Sequence, residues 1–184
     1  MTSSDERRST GTAPHIRRAV VGDAGAISQL LTELTRRYVL PDLSEAGGRF
    51  FLAELAPERM LERFESGFEF HVAETDRALA GVVAMSTPTH VYYLFVDTPF
   101  QRRGLARQLL FEATNPWRES PAPAPLTVNA SRYATEAYRK MGFGATAGQQ
   151  EKHGVAYYPM QIPGPEDFVF KPVRFAVHNA GTDR

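Results

Sequence analysis

The apolar residues of this chain alternate between two spacings, and each change of spacing marks an element. Ile27, Leu30, Leu31, Leu34 and Tyr38 recur three and four positions apart and predict an amphipathic helix, with Asp23 as its N-cap. Ahead of it, His15 to Val21 reads as a first strand. Residues 1 to 14 are polar and aperiodic, rich in Ser, Thr, Gly and Arg, and are expected to be disordered. Residues 44 to 52 and 57 to 64 read as two short helical pieces, with Pro57 tolerated in a first turn and Gly47-Gly48 weakening the first piece.

A period of two then takes over. Residues 68 to 74 and 79 to 86, separated by Thr75-Asp76-Arg77, predict an antiparallel hairpin, and His90 to Val96 a central strand. Leu105, Leu109, Leu110 and Ala113 return to helical spacing, and Asn115-Pro116 stops that helix. A Pro-rich linker, residues 121 to 125, leads into a strand ending at Asn129 and a helix ending at Met141-Gly142-Phe143. Residues 145 to 152 and 154 to 162 read as a last hairpin-like pair around His153-Gly154. Beyond it, Phe168, Phe170, Val173, Phe175 and Val177 are too apolar to stay solvated, so residues 163 to 184 are expected to pack as a tail on the chain or on a second copy, in a homodimer.

Composition narrows the options. A chain of 184 residues that is 42% hydrophobic is long enough for one well-buried domain and short for two. Twenty-one basic and 21 acidic side chains cancel, leaving no global field to hold a nucleic acid. No apolar run approaches the roughly 20 residues that cross a bilayer, and the first residues lack a signal peptide's apolar segment, so the expected location is cytoplasmic. There is no cysteine, which removes disulfides, thiolate metal sites and a cysteine acyl carrier. The five histidines show no pair at helical metal spacing, and no metal is expected.

The most informative stretch joins the central strand to the next helix: Leu94, Phe95 and Val96, then a turn, then Gln101-Arg102-Arg103-Gly104-Leu105-Ala106-Arg107. A small-residue basic loop at a helix start gathers backbone N–H groups where the helix dipole is positive, and three arginines add charge. Gly104 and Ala106 keep bulk away from those amides, so a diphosphate fits. No Gly-Lys-Ser/Thr follows the glycine, and no Gly-x-Gly-x-x-Gly follows any predicted strand.

Gln101-x-x-Gly104-x-Ala106 resembles the pyrophosphate loop of the GNAT superfamily of acyl-CoA-dependent N-acetyltransferases, Gln/Arg-x-x-Gly-x-Gly/Ala. Residues 126 to 143, with Asn129, Tyr138 and Met141-Gly142-Phe143, resemble that superfamily's second signature, and the likeness spans about residues 15 to 162. The resemblance implies an α/β (α+β) domain over those residues. Its mixed, mostly antiparallel sheet would have about six to seven strands flanked by about four helices, splayed between the fourth and fifth strands. It implies acetyl-CoA as co-substrate, with Leu94, Phe95 and Val96 lining the splay and the backbone from Arg102 to Arg107 holding the pyrophosphate. Tyr138 would protonate the departing sulfur, a role suited to a phenol with an ordinary pKa of about 10, and Asn129 would hydrogen-bond the cofactor.

In the histone-acetyltransferase branch the basic glutamate lies 11 positions before the loop's glutamine, which here is His90. An imidazole of ordinary pKa about 6.5 can serve as that base, with Glu33, Glu74 or water as alternatives. The expected reaction is direct acetyl transfer to the amine of a small molecule in a ternary complex. A peptide or protein amine, or an acyl-CoA-binding module without turnover, are the alternatives. Acceptor specificity is expected in residues 38 to 64 and the last hairpin.

Overall fold

The structure, a computed structural model, describes residues 13 to 170. The expectations for residues 1 to 12 and for Val173, Phe175 and Val177 lie outside the described residues. Strands β1 (His15–Arg18), β2 (Glu69–Glu74), β3 (Leu79–Thr87), β4 (His90–Val96), β5 (Leu126–Ala130), β6 (Gly144–Ala145), β7 (Gln150–Lys152) and β8 (Val155–Ile162) join in the order β1-β2-β3-β4-β5-β8-β6, with β7 pairing β8. Every pair is antiparallel except β4 with β5.

The helices are α1 (Ala24–Tyr38), α2 (Glu45–Ala53), α3 (Pro57–Glu65), α4 (Leu105–Ala113), α5 (Asn115–Arg118) and α6 (Thr135–Arg139). Alternation along the strands divides the buried side chains between two cores. Leu105, Leu109 and Leu110 of α4 and Tyr138 of α6 pack with Val83, Val91, Val128 and Met160 on one face, and Ile27 and Leu31 of α1 and Met60 of α3 pack with Phe70, Val82 and Tyr93 on the other.

This is the mixed α/β architecture expected, with more elements than the six to seven strands and four helices predicted. The surplus consists of short pieces. The last hairpin's first arm is broken at residues 146 to 149, so that two-residue β6 and three-residue β7 pair β8 separately. Pro116 ends α4 as expected, but its fixed φ suits a first turn and it opens the four-residue α5. The helix after β5 begins as a 3-10 turn, Arg132–Ala134, before the short α6.

Two local expectations fail for one reason. β1 stops at Arg18 instead of Val21, and Asp23, although it precedes α1, does not cap it with its side chain. Its carboxylate instead accepts from Val20 N–H at 2.8 Å and forms a two-pronged pair with Arg17, at 2.7 and 2.9 Å. That closes a 3-10 turn, Val21–Asp23, and pulls the chain out of the sheet. A charge-assisted pair outweighs a cap.

Phe168 is buried and Phe170 half-buried beside Phe111 of α4, the Phe170 ring 3.8 Å from the Phe111 ring. Arg118 covers Phe111, its guanidinium carbon 3.5 Å from the ring centroid.

α2 seats on the β7–β8 turn through two glycines. His153 and Gly154 both take positive φ, 54° and 75°, as a two-residue turn matched to strand twist requires. A Cβ on Gly47 would lie 2.0 Å from the Gly154 carbonyl oxygen. Gly47→Ala therefore has to push the helix off the hairpin, and the expected cost is about 1–3 kcal/mol. Urea unfolding checks this, with Gly25→Ala, where nothing lies within 4 Å of the added carbon, as the neutral control.

Candidate functional site

The site begins with an irregularity between β3 and β4. Ala84 faces Tyr93, Met85 faces Val91 and Thr87 faces His90, so Tyr92 is an extra residue on β4 and Ser86 an extra one on β3. A bulge bends its strand and increases the local twist. This one follows directly on the two pairs that join β4 to β5, His90 with Thr127 and Val91 with Val128. Past them β4 runs on through Leu94, Phe95 and Val96 with β3 on one side and no β5 partner on the other. The three residues assigned from sequence to line a gap thus lie along an open strand edge.

Arg63 underpins the bulge. Only 7% exposed, it pairs with Glu54 at 2.9 Å and sets its guanidinium carbon 5.3 and 5.5 Å from the Tyr92 and Tyr93 ring centroids.

At the end of β4 the Gln101 side-chain amide donates to the Val96 carbonyl at 2.9 Å, supplying a bond that a neighbouring strand would otherwise make. Arg102 and Gly104 then take φ of 61° and 85°, and α4 starts after Gly104. Gln101 N–H goes to the Thr98 carbonyl and Gln108 N–H to the Gly104 carbonyl. Between them, no backbone hydrogen bond among the described residues uses the N–H groups of residues 102 to 107. A run of free amides at a helix start is an anion cradle.

Arg102 and Arg103 are exposed beside the cradle. Leu105 is buried in the core and can offer only its backbone, and half-buried Ala106 packs against the same core. The Arg107 guanidinium donates to the Lys140 carbonyl at 3.0 Å, which ties α4 to the end of α6.

Tyr138 is 5% exposed, its ring edge-on to Phe143 at 5.1 Å, and its hydroxyl has no hydrogen-bond partner among the described residues. Burial pushes its pKa well above the ordinary value. Val91 and Val128 belong to the core that holds Tyr138, so by alternation His90 and Thr127 face the other side of the sheet. His90 is half-buried, with Nδ1 2.7 Å from Thr127 Oγ1, and burial pushes its pKa below 6.5. The gap joins the two faces. Of the alternative bases, Glu74 is held by Arg17 at 2.6 Å, and Glu33 is exposed and accepts from Gln29 at 3.0 Å. Asn129 is exposed on β5 opposite Pro159.

The helical spacing placed Tyr38 on an apolar face and nothing more, and the strand and helix patterns gave no reason to single out Thr98 or Thr127. Tyr133 is 54% exposed and packs its ring on Tyr38 at 4.8 Å, with its hydroxyl 3.4 Å from Gln101 Oε1. The Tyr38 hydroxyl lies 2.9 Å from Thr98 Oγ1. The pair links the segments that follow β4 and β5. Nearby, a cavity of about 220 Å³ is lined by Val39, Asp42 and Leu43 ahead of α2, Arg132 after β5, and Gln149 and Tyr158 of the last hairpin. Tyr158 is held by its hydroxyl bond to Gln149 at 2.9 Å.

A mixed sheet that parts at its one parallel pair, with an anion cradle where the departing strand ends, defines the class of GNAT-fold proteins, and solved N-acetyltransferases share it. A GCN5-related N-acetyltransferase from Rhodopseudomonas palustris superimposes with TM-score 0.68 at 21% identity, over 83% of this chain and 97% of that one. The PaiA N-acetyltransferase from Thermoplasma acidophilum, solved in complex with coenzyme A, gives 0.67 at 15% identity, over 83% and 99%. YjaB from Escherichia coli, in its apo form, gives 0.63 at 19%, also over 83% and 99%. Residues 39 to 163, more than half of the 184-residue chain, match the acetyltransferase (GNAT) domain model, and the chain belongs to that family. No curated protein sequence matches it.

The free amides of residues 102 to 107 and the positive φ at Gly104 fit a pyrophosphate, and the Tyr138 hydroxyl, on a ring packed into the core and without a hydrogen-bond partner among the described residues, fits a thiol group. Gly104→Ala puts a Cβ at φ 85°, at a cost of about 1–2 kcal/mol in the left-handed region. The expected result is roughly tenfold weaker coenzyme A binding by calorimetry, with an unchanged circular dichroism spectrum.

Proposed function

We propose that this protein transfers an acetyl group from acetyl-CoA to the primary amine of a small molecule, by direct attack with both substrates bound. The observation that carries the reading is the gap between β4 and β5, with a buried phenol on one face of the sheet and a half-buried imidazole on the other. Residues 102 to 107 would hold the pyrophosphate by their backbone amides, helped by Arg102 and Arg103. The open edge of Leu94, Phe95 and Val96 would hydrogen-bond the pantetheine arm, and Asn129 would reach it from β5.

When bound, acetyl-CoA supplies an activated acyl carbon, whose bond to sulfur is exchanged for one to the amine nitrogen. His90 takes a proton from the amine, and Tyr138 gives one to the sulfur and recovers it from solvent. Holding the groups in line supplies much of the rate. A cavity of about 220 Å³, below the ~300 Å³ at which drug-sized ligand sites begin, favours a small acceptor over a peptide. Apart from Ser131 and Arg132, which follow β5, its walls come from the two segments to which specificity was assigned.

Tyr138→Phe tests the reading. The phenol's removal is expected to lower kcat at least a hundredfold and to leave coenzyme A affinity at the wild-type value. Wild-type protein with no turnover over an amine panel, despite binding coenzyme A, would mean a binding module instead. Thermal unfolding decides the cofactor: at a hundred times its Kd a ligand adds about 2.7 kcal/mol, and coenzyme A is expected to raise Tm where ATP does not.

The pH profile carries its own sign. His90 works as a base only when neutral, and its pKa lies below 6.5. The profile of kcat/KM is therefore expected to hold through that value and to fall only at lower pH, apart from the amine's own titration at high pH. Comparing two acceptors of different amine pKa separates the two limbs.

A further inference from the structure

We infer that Thr127 is a positioning residue that fixes which nitrogen of His90 carries the proton; the inference rests on the reading of His90 as the base. Thr127 Oγ1 has two neighbours within hydrogen-bond distance, the Thr89 carbonyl oxygen at 3.0 Å and His90 Nδ1 at 2.7 Å. The carbonyl can only accept. If the hydroxyl proton went to Nδ1, two acceptor oxygens would face each other at 3.0 Å with nothing between them. The arrangement that satisfies all three groups sends the Thr127 proton to Thr89 and the Nδ1 proton to Thr127. Neutral His90 then has a bare Nε2, and that nitrogen takes the amine's proton.

The support is built into the sheet. Thr127 N–H also binds the Thr89 carbonyl, at 2.8 Å, and His90 with Thr127 forms the first of the two pairs that join β4 to β5. The ring is thus anchored on the strand that carries the gap's other edge. When Nε2 gains its proton, Nδ1 keeps its own and goes on donating to Thr127 Oγ1, and the ring holds its place while charged. No proton passes along the chain of bonds: one N–H bond breaks at the amine and one forms at Nε2.

Nitrogen-15 NMR of the imidazole rings, on the whole protein at pH 8, reads the tautomer directly, with His90→Gln assigning the signals. The expected wild-type ring carries its proton on Nδ1. Thr127→Val is expected to shift it to a mixture and to lower kcat about tenfold, part of the hundredfold or more that a general base contributes. KM for acetyl-CoA should stay unchanged, and Thr127→Ser should restore both readouts. A wild-type ring protonated on Nε2, in a protein that loses activity on His90→Gln, overturns the positioning alone. A His90→Gln variant with wild-type kcat overturns the base reading, and the inference with it.

Discussion

The site depends on where one pair of strands stops pairing. β4 and β5 share only two residue pairs, and a parallel ladder that short holds its strands together weakly. The extra residue at Tyr92 bends β4 immediately afterwards, so the two strands leave each other at a defined point. An open edge inside a sheet would cost unmet backbone bonds unless something covered it. Gln101 meets one of them at the Val96 carbonyl, and Arg63 fills the space beneath the bulged tyrosines.

The charge distribution follows the same economy. With 21 basic and 21 acidic groups the chain has no net charge to draw in an anion, and one of the loop's three arginines is engaged with Lys140. What remains is short-ranged: free amides at the start of a nine-residue helix and two exposed guanidinium groups. Fixed dipoles need no reorganisation to meet a charge and are screened less by salt than mobile surface side chains. Such a cradle selects by fit, since Gly104 and Ala106 leave the backbone within reach.

Much of this was legible in the chain. Periods of two and 3.6 gave the order of the main strands and helices, and the spacing of Gln101, Gly104 and Ala106 marked the loop before any geometry was known. What could not be read depends on register. Whether Tyr92 pairs or bulges is decided by its partners on β3, which lie in a different segment of sequence. Thr127 meets His90 across 37 positions, and nothing in the pattern of either strand pairs them. Asp23 failed as a cap for a nearer reason: Arg17, six positions earlier on β1, takes its carboxylate, and a capping rule that looks only forward into the helix contains no such competitor.

One physical cause prepares both ends of the proposed proton exchange. Burial disfavours whichever form of a group is charged. For a phenol that form is the anion, so Tyr138 is kept protonated and able to donate; for an imidazole it is the cation, so His90 is kept neutral and able to accept. No charged neighbour contributes to either shift, which separates this arrangement from sites where a carboxylate sets the base. A carboxylate beside His90 would raise its pKa and make it a stronger base, but would also leave it partly protonated at neutral pH. A hydroxyl in that place orients the ring without adding charge. Because the two groups face opposite sides of the sheet, the proposed exchange would need a substrate lying in the gap to connect donor and acceptor, and would wait for one to be bound.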